Sequence, residues 1–402
     1  MFKRAIFINL ALLCLGTNLY AETTKQNAIK KQPAKKEAYR AVWQKIYGGR
    51  SDDIAYGIVA LENGESAVVG SCKSFNAKRT DMCVTRMNAK GEMKWHLLIG
   101  GKRNDFGKAI TRSADGNLLL LGESKSFSKD YDYDLYVAKV SLDGKLLWTK
   151  TIGGNRDEHA GGIAGTDDGG AILVGDSESF KNGYKDIYIV RIDKKGKVIS
   201  EKVVGGERDE KATAIARTRD GSFVLVGSSE TERSGDPDFF AMKIDQSTKE
   251  IWHKSVGGDD EDQLNGVCPT IDGGVVATGS TRSYGSKQTD LAVLKLDKRG
   301  KLVWLKLYGF KYYEYGNAVT MTSDGGYMVA GGSNTLGKGD HSPYFLALNA
   351  KGSLIWSHVY GDKGRDVMHG IARMSDRSLV AVGQSNSFSR SYDFYMIKLQ
   401  RQ

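Results

Sequence analysis

Proline is scarce in this 402-residue chain, at 4 against 49 glycines, a balance that fits many tight turns. Cysteine is scarce too. Beyond Cys14, which sits in an apolar N-terminal run, only Cys72, Cys83 and Cys268 occur. No Cys-x-x-Cys pair or Cys/His ligand set is present, which argues against a structural zinc. The six histidines (His96, His159, His253, His341, His358 and His369) form no His-Glu-x-x-His helix motif. Gly-x-Ser-x-Gly is absent, and the frequent Gly-Gly pairs end strand-like runs instead of opening helices, so no phosphate cradle is expected. Past the N-terminus no apolar run approaches membrane length, so no transmembrane segment is expected in the mature chain.

Charge is unevenly spread. Of the formal +10, two charges are Lys3 and Arg4 and a net four fall in residues 22–40, leaving +4 for residues 41–402. A nearly balanced body argues against nucleic acid as a partner. Residues 1–21 have the form of a secretory signal peptide: a basic start, the apolar run Ala5 to Leu15, and Leu19-Tyr20-Ala21 as a cleavage site. Periplasmic or secreted export is the expectation. A lipid anchor on Cys14 fits less well, because Leu13 is a poor match to the small residue such processing prefers. Residues 22–40 are polar and lysine-rich and bury too little to order themselves; a solvated linker, or a basic tether to anionic lipid or polysaccharide, is expected.

The rest is periodic. Trp43, Trp95, Trp148, Trp252, Trp304 and Trp356 fall 52, 53, 104, 52 and 52 residues apart, and Ser200 fills the double gap in the same frame. A fixed period of this length means a stacked or closed repeat array. Each tryptophan is expected to pack between neighbouring units. Every unit places a carboxylate five residues after the glycine that follows the Trp strand: Asp53, Asp105, Glu158, Glu210, Asp262, Glu314 and Asp366. Small residues follow, then an Asx-Gly turn in six units (Asp376-Arg377 in the last), a second strand and a longer loop, often Ser-x-Ser-Phe. A third strand opens with Asp and carries Lys or Arg five positions on; unit six has Ser342 and Ala347 there instead. An Asp-x-x-Gly turn leads to the Trp strand.

Four short antiparallel strands per unit describe propeller blades. The chain opens with an unmatched fourth strand, Ala41 to Tyr47, and ends after a third, at Lys398-Leu399. Joined, they complete a seventh blade and hide both edges. The expected fold is therefore all-β: a seven-bladed β-propeller over residues 41–402. Units of the form DGGYMVAGGS, then D-x-x-x-x-K-x-D-x-x-G-x-x-x-W, then YGG, resemble the seven-bladed propeller repeats of many exported bacterial proteins. They are more distantly similar to quinoprotein-like propeller repeats. A quinone would need a tryptophan floor inside the ring, whereas here the Trp strand is the outermost.

That resemblance specifies fold and leaves function open, because propellers host enzymes, scaffolds and lectins alike. Chain direction puts the carboxylate-bearing and Ser-x-Ser-Phe loops on one face and the minimal turns on the other. Binding is expected on the first face, with a protein or cell-envelope glycan as partner. The seven carboxylates are weak candidates for a divalent-cation site at the channel mouth; their recurrence favours backbone capping or pairing with arginines such as Arg103. No other cofactor is implied. Unit six departs most from the repeat, so Tyr312, Tyr313, Tyr315, His341 and Tyr344 are the candidate ligand-binding residues. A lyase or hydrolase using the carboxylates, and a purely structural envelope component, remain the alternatives. Antiparallel pairing around the intervening loop is expected to place Cys72 and Cys83 opposite each other, and export would favour a disulfide between them.

Overall fold

The computed structural model describes residues 38–180, 183–230, 235–285 and 288–402. The expected leader and most of the expected linker lie outside these residues. Seven four-stranded antiparallel sheets form a ring, a seven-bladed β-propeller. Their innermost strands are Asp53–Ala60, Asp105–Arg112, Glu158–Gly165, Glu210–Arg217, Asp262–Pro269, Glu314–Met321 and Asp366–Arg373. Each touches the next, and Asp366–Arg373 touches Asp53–Ala60, so the ring closes. The closing blade is built from both ends of the described chain. Strand Tyr39–Tyr47 lies antiparallel to Asp393–Arg401, with Tyr39 opposite Arg401 and Tyr47 opposite Phe394. The first strand thus begins at Tyr39, two residues before the expected Ala41. Among the described residues no helix is long and apolar enough to cross a membrane.

The two middle strands of each blade are nearly all buried, as in Leu118–Ser124 and Asp134–Val140. Their apolar side chains join those of the adjacent blade: Val69, Val84 and Met82 pack with Leu118, Leu120 and Tyr136. Each such side chain contributes about 1.5–3 kcal/mol through burial. In the Asx-Gly turns of six blades glycine adopts a left-handed φ of 73° to 84°, closing a short hairpin loop. In the last blade Arg377 takes that conformation, with φ 67°.

The tryptophans lock one blade to the next. A Cβ on Gly91, Gly144, Gly196, Gly300 or Gly352 would come within 2.8 to 3.1 Å of Trp43, Trp95, Trp148, Trp252 or Trp304 respectively. These glycines close the next blade's outer turn with φ of 74° to 85°. The unit that has Ser200 in place of tryptophan faces the turn that has Thr248 in place of glycine; their hydroxyls lie 3.4 Å apart. With no indole to receive, the turn tolerates a side chain. At the seam no such turn exists, and Trp356 packs on Tyr39, ring centroids 5.6 Å apart.

Cys72 and Cys83 are joined by a disulfide, Cα atoms 5.9 Å apart. They are diagonal, not opposite: Cys72 faces Asp81 and Cys83 faces Gly70. Cys268 is a free buried thiol whose pKa burial pushes up to about 12.

Candidate functional site

The seven carboxylates are buried latches at the blade boundaries and do not line the channel mouth. Each accepts the N–H of the residue four positions earlier, from Gly49 to Asp53 (3.0 Å), Gly101 to Asp105 (2.7 Å) and Gly154 to Glu158 (2.8 Å). The same bond recurs at Glu210, Asp262, Glu314 and Asp366. The Ser-x-Ser loop supplies further donors: Ser126 to Asp105, Ser177 and Ser179 to Glu158, Thr281 to Asp262, Ser333 to Glu314, Ser387 to Asp366. At Asp53 the donors are the backbone N–H groups of Lys73 and Ser74. Six of the seven are fully buried, and Glu210 nearly so. A charge-assisted bond to buried N–H groups at every blade boundary is a scaffold device. Among the described residues no group of three His, Cys, Asp or Glu has the arrangement of a metal site.

The blade-six candidates separate into three environments. Tyr312 and Tyr313 are 44% and 46% exposed, on a connection whose N–H groups bond Thr335 Oγ1 and Asn334 Oδ1. Tyr315 and His341 are half-buried with ring centroids 6.0 Å apart, beside Arg365. Tyr344 is 2% exposed and packs with Tyr308 and Leu346, so it cannot meet a surface ligand. Its strand is regular, and it occupies the inward position that Tyr136, Tyr188 and Tyr395 hold in other blades.

Two positions that vary between units converge on the axis. Every inner strand has a β-bulge, and the bulged residues are Tyr56, Lys108, Gly161, Thr213, Asn265, Asn317 and His369. A bulge re-aims its side chain. Thr213 Oγ1 donates to Leu264 O (2.6 Å), Asn265 Nδ2 to Gly316 O (3.1 Å) and Asn317 Nδ2 to Met368 O (2.9 Å), each reaching the next blade. The belt continues with His369 against Tyr56, centroids 5.1 Å apart, and the Lys108 ammonium 4.7 Å from the Tyr56 centroid. Burial pushes His369 down to about 4.

Nearer the longer-loop face, blades two to four carry a charged group. Glu123 Oε1 accepts Ala160 N–H at 3.0 Å, and its other oxygen lies 3.7 Å from His159 Nδ1, which raises the histidine pKa. Burial pushes Asp176 up to about 6 despite Lys185, 3.8 Å away, and nearby His159 and Lys211. The Tyr133 ring lies tilted to that of His159, centroids 6.3 Å apart, with the Lys125 ammonium 4.1 Å from the Tyr133 centroid. None of these was singled out in the sequence. The signal was the residue directly after each latch carboxylate, which runs Ile54, Phe106, His159, Lys211, Gln263, Tyr315, Val367.

The two faces differ. Every exposed Phe or Tyr among the described residues lies in a connection of the longer-loop face: Phe75, Phe127, Tyr131, Tyr184, Phe310, Tyr312, Tyr313 and Phe388. The opposite face repeats one ion pair. Lys139 binds Asp115 (2.6 Å), Arg191 Asp168 (2.7 Å), Lys243 Asp220 (2.6 Å), Lys295 Asp272 (2.6 Å) and Lys398 Asp376 (2.8 Å), with Arg86 on Glu65 (2.7 Å) in blade one. Blade six has Ala347 there, and Asp324 is bound by Arg401 of the closing strand instead.

No family model matches the chain. It is 24% identical over 162 residues to the regulatory protein FlaEY of Caulobacter vibrioides, a match covering 34% of this chain and 17% of that protein. Among solved structures it is similar to a protein of unknown function from Dyadobacter fermentans: TM-score 0.57, 12% identity, 91% of this chain and 100% of that one. It is also similar to Drosophila Plexin A, solved in complex with Semaphorin 1b, with TM-score 0.54, 9% identity, and 89% and 86% of the two chains. The Neurospora crassa Pan2 WD40 domain gives TM-score 0.52 at 10% identity, covering 87% and 97%. These structural likenesses concern the fold.

Proposed function

We propose that this chain is an exported, non-catalytic binding or assembly module whose longer-loop face takes a protein or a cell-envelope glycan. The observation that carries the reading is the confinement of every exposed Phe and Tyr among the described residues to that face. Rigid aromatic side chains give large contact area at low entropic cost, which is why they anchor interfaces and stack on sugar rings. The Arg103 guanidinium 4.2 Å from the Tyr131 ring centroid, and Lys311 5.0 Å from that of Tyr312, put cations beside two of these rings. Export rests on residues 1–21 of the sequence, and tethering by the lysine-rich segment is its companion. FlaEY is a regulatory protein by name and Plexin A was solved with a protein partner; both agree with an interaction role.

The test is capture from envelope extract on immobilised protein, with the extract treated beforehand by protease or by glycan-degrading enzymes. A Tyr131/Tyr312/Tyr313 alanine variant is run alongside. Retention by wild type that the variant loses supports the module, and the treatment that abolishes it names the ligand class. Equal retention by both proteins contradicts the reading. A hydrolase or lyase reading is favoured only by Asp176, held near pH 6 beside His159. It requires turnover of the captured ligand that Asp176→Asn abolishes without loss of binding.

A further inference from the structure

At five of the seven blade boundaries a second carboxylate stands beside the latch. The latch N–H bonds the carbonyl of the residue just before the third strand's opening aspartate: Asp105 to Thr80 beside Asp81, Glu158 to Tyr133 beside Asp134, Glu210 to Lys185 beside Asp186, Glu314 to Thr289 beside Asp290, and Asp53 to Tyr392 beside Asp393. The glycine between them shows how close they are. A Cβ on Gly153 would lie 2.0 Å from Asp134 Oδ1 and 2.2 Å from Glu158 Oε2, and one on Gly100 would lie 2.3 Å from Asp81 Oδ1 and 2.8 Å from Asp105 Oδ2. The oxygens of the latch member already accept N–H and O–H donors. Its neighbour is different. Asp81, Asp134 and Asp393 are 7%, 8% and 5% exposed, and the Oδ1 atom of each is buried without a hydrogen-bond partner. Two carboxylates so placed, one of them with an orphaned oxygen, cannot both be charged without a large penalty.

We propose that these boundaries are latched by protons. At Asp81–Asp105, Asp134–Glu158 and Asp393–Asp53 one carboxylic acid donates to the neighbouring carboxylate, so the ring holds together best in mildly acidic surroundings and loosens as the pairs ionise. A divalent cation is the poorer occupant, since hard cations take six or more oxygens and the latch oxygens already accept donors.

The groups facing each site agree. Asp134 is raised to about 7 by burial and by Glu158, with Asp132 adding to the shift and Ser128 opposing it. Tyr188 also lies within reach of its charge. Asp81 is raised by burial and Asp105, opposed by Lys78, and Tyr136 faces the same pair. Asp393 is raised by burial, opposed by Ser389, and raised further by Asp53 and Asp52; Asp52 itself binds Lys73. An acid raised on folding stabilises most below its unfolded value of about 3.9, and that stability is lost as pH rises through its folded value. For Asp134 the window runs from about 4 to about 7. Tyr133 and His159 adjoin this pair in sequence, so its ionisation acts next to the axial charged group.

The experiment is urea unfolding of the full chain from pH 5 to 8.5, for wild type and an Asp81→Asn/Asp134→Asn/Asp393→Asn variant. Asparagine keeps the shape and a donor while removing the proton equilibrium. The expected result is a wild-type midpoint that falls as pH rises, a slope cut by about half or more in the variant, and a variant at least as stable as wild type at pH 8. His159, His369 and Asp176 titrate in both proteins, so the difference between the curves isolates the pairs. Parallel curves, or a variant less stable at pH 8, overturn the proposal. So does a rise in the wild-type midpoint with millimolar calcium at pH 8 that the variant lacks, which would assign the pairs to a cation. Should the variant not fold, infrared spectra of Asp176→Asn, which removes the other raised carboxyl, decide: a protonated-carboxyl band present at pH 6 and lost at pH 8.5 supports the latch, and its absence at pH 6 contradicts it.

Discussion

The two faces of the disc are made from the same repeat, yet they spend their residues differently. On the turn face one lysine–aspartate or arginine–carboxylate pair recurs from blade to blade, and where Ala347 breaks the series Arg401 supplies the missing cation. On the longer-loop face the buried latch recurs, while the residue directly after it changes in every blade. A position that must be the same seven times is holding the ring together. A position free to differ at each copy, and populated by exposed Tyr and Phe or by His159, Lys211 and Tyr315, is available for recognition. The faces also respond oppositely to acid. Burial opposes ionisation of Asp220, but Lys243, Thr218 and Ser222 outweigh it and hold its pKa well below the usual range. Such groups stabilise above their unfolded pKa and lose that contribution as pH falls. The carboxyl pairs of the other face gain on acidification.

The largest effect should come from removing a latch. Asp105→Ala leaves Gly101 N–H and the Ser124 and Ser126 hydroxyls without their acceptor. A loss of about 3–5 kcal/mol in urea unfolding is expected. Next is the tryptophan socket. Gly144→Val places a β-branched residue at φ 85° against Trp95 and should cost about 2–4 kcal/mol. Ser200→Trp should destabilise alone and be at least partly rescued by Thr248→Gly, with a coupling of about 1 kcal/mol or more in a double-mutant cycle. Smaller again is Lys243→Met, at about 1–3 kcal/mol. This change should also flatten the loss of stability below about pH 4, because Asp220 then has no cation to hold its pKa down. Smallest on stability is the Tyr312→Ala/Tyr313→Ala pair, within about 0.5 kcal/mol per site, although these residues should carry much of the binding. If turn-face changes weakened binding and left stability intact, the contrast between the faces would fail.

What recurs in the sequence was legible. The tryptophan frame, the Asp-Gly turns, and the single strand at one end with three at the other specified seven blades and their closure, because periodicity survives drift at single positions. The seam between Tyr39–Tyr47 and Asp393–Arg401 needed nothing beyond counting strands. The site was less legible, because the alignment that reveals a repeat draws the eye to its constant residues. The latch carboxylates recur and so look like ligands, yet the donors that occupy them come from Ser-x-Ser loops some 20 residues on and become visible only when the strands pair. Tyr344 follows an unusual loop in the sequence, whereas strand alternation places it inward with Tyr136 and Tyr188. His159, Glu123 and Asp176 come from two blades, and no spacing within one unit announces them.

Whether the longer-loop face does the binding is decided by orientation. Ile271 on the turn face and Phe388 on the longer-loop face are each 57% exposed, so either can be replaced by cysteine and used to tether the protein to a sensor surface. Protein tethered through Ile271→Cys should retain the envelope ligand, and protein tethered through Phe388→Cys should retain little. Retention through Phe388→Cys with loss through Ile271→Cys would contradict binding by the longer-loop face.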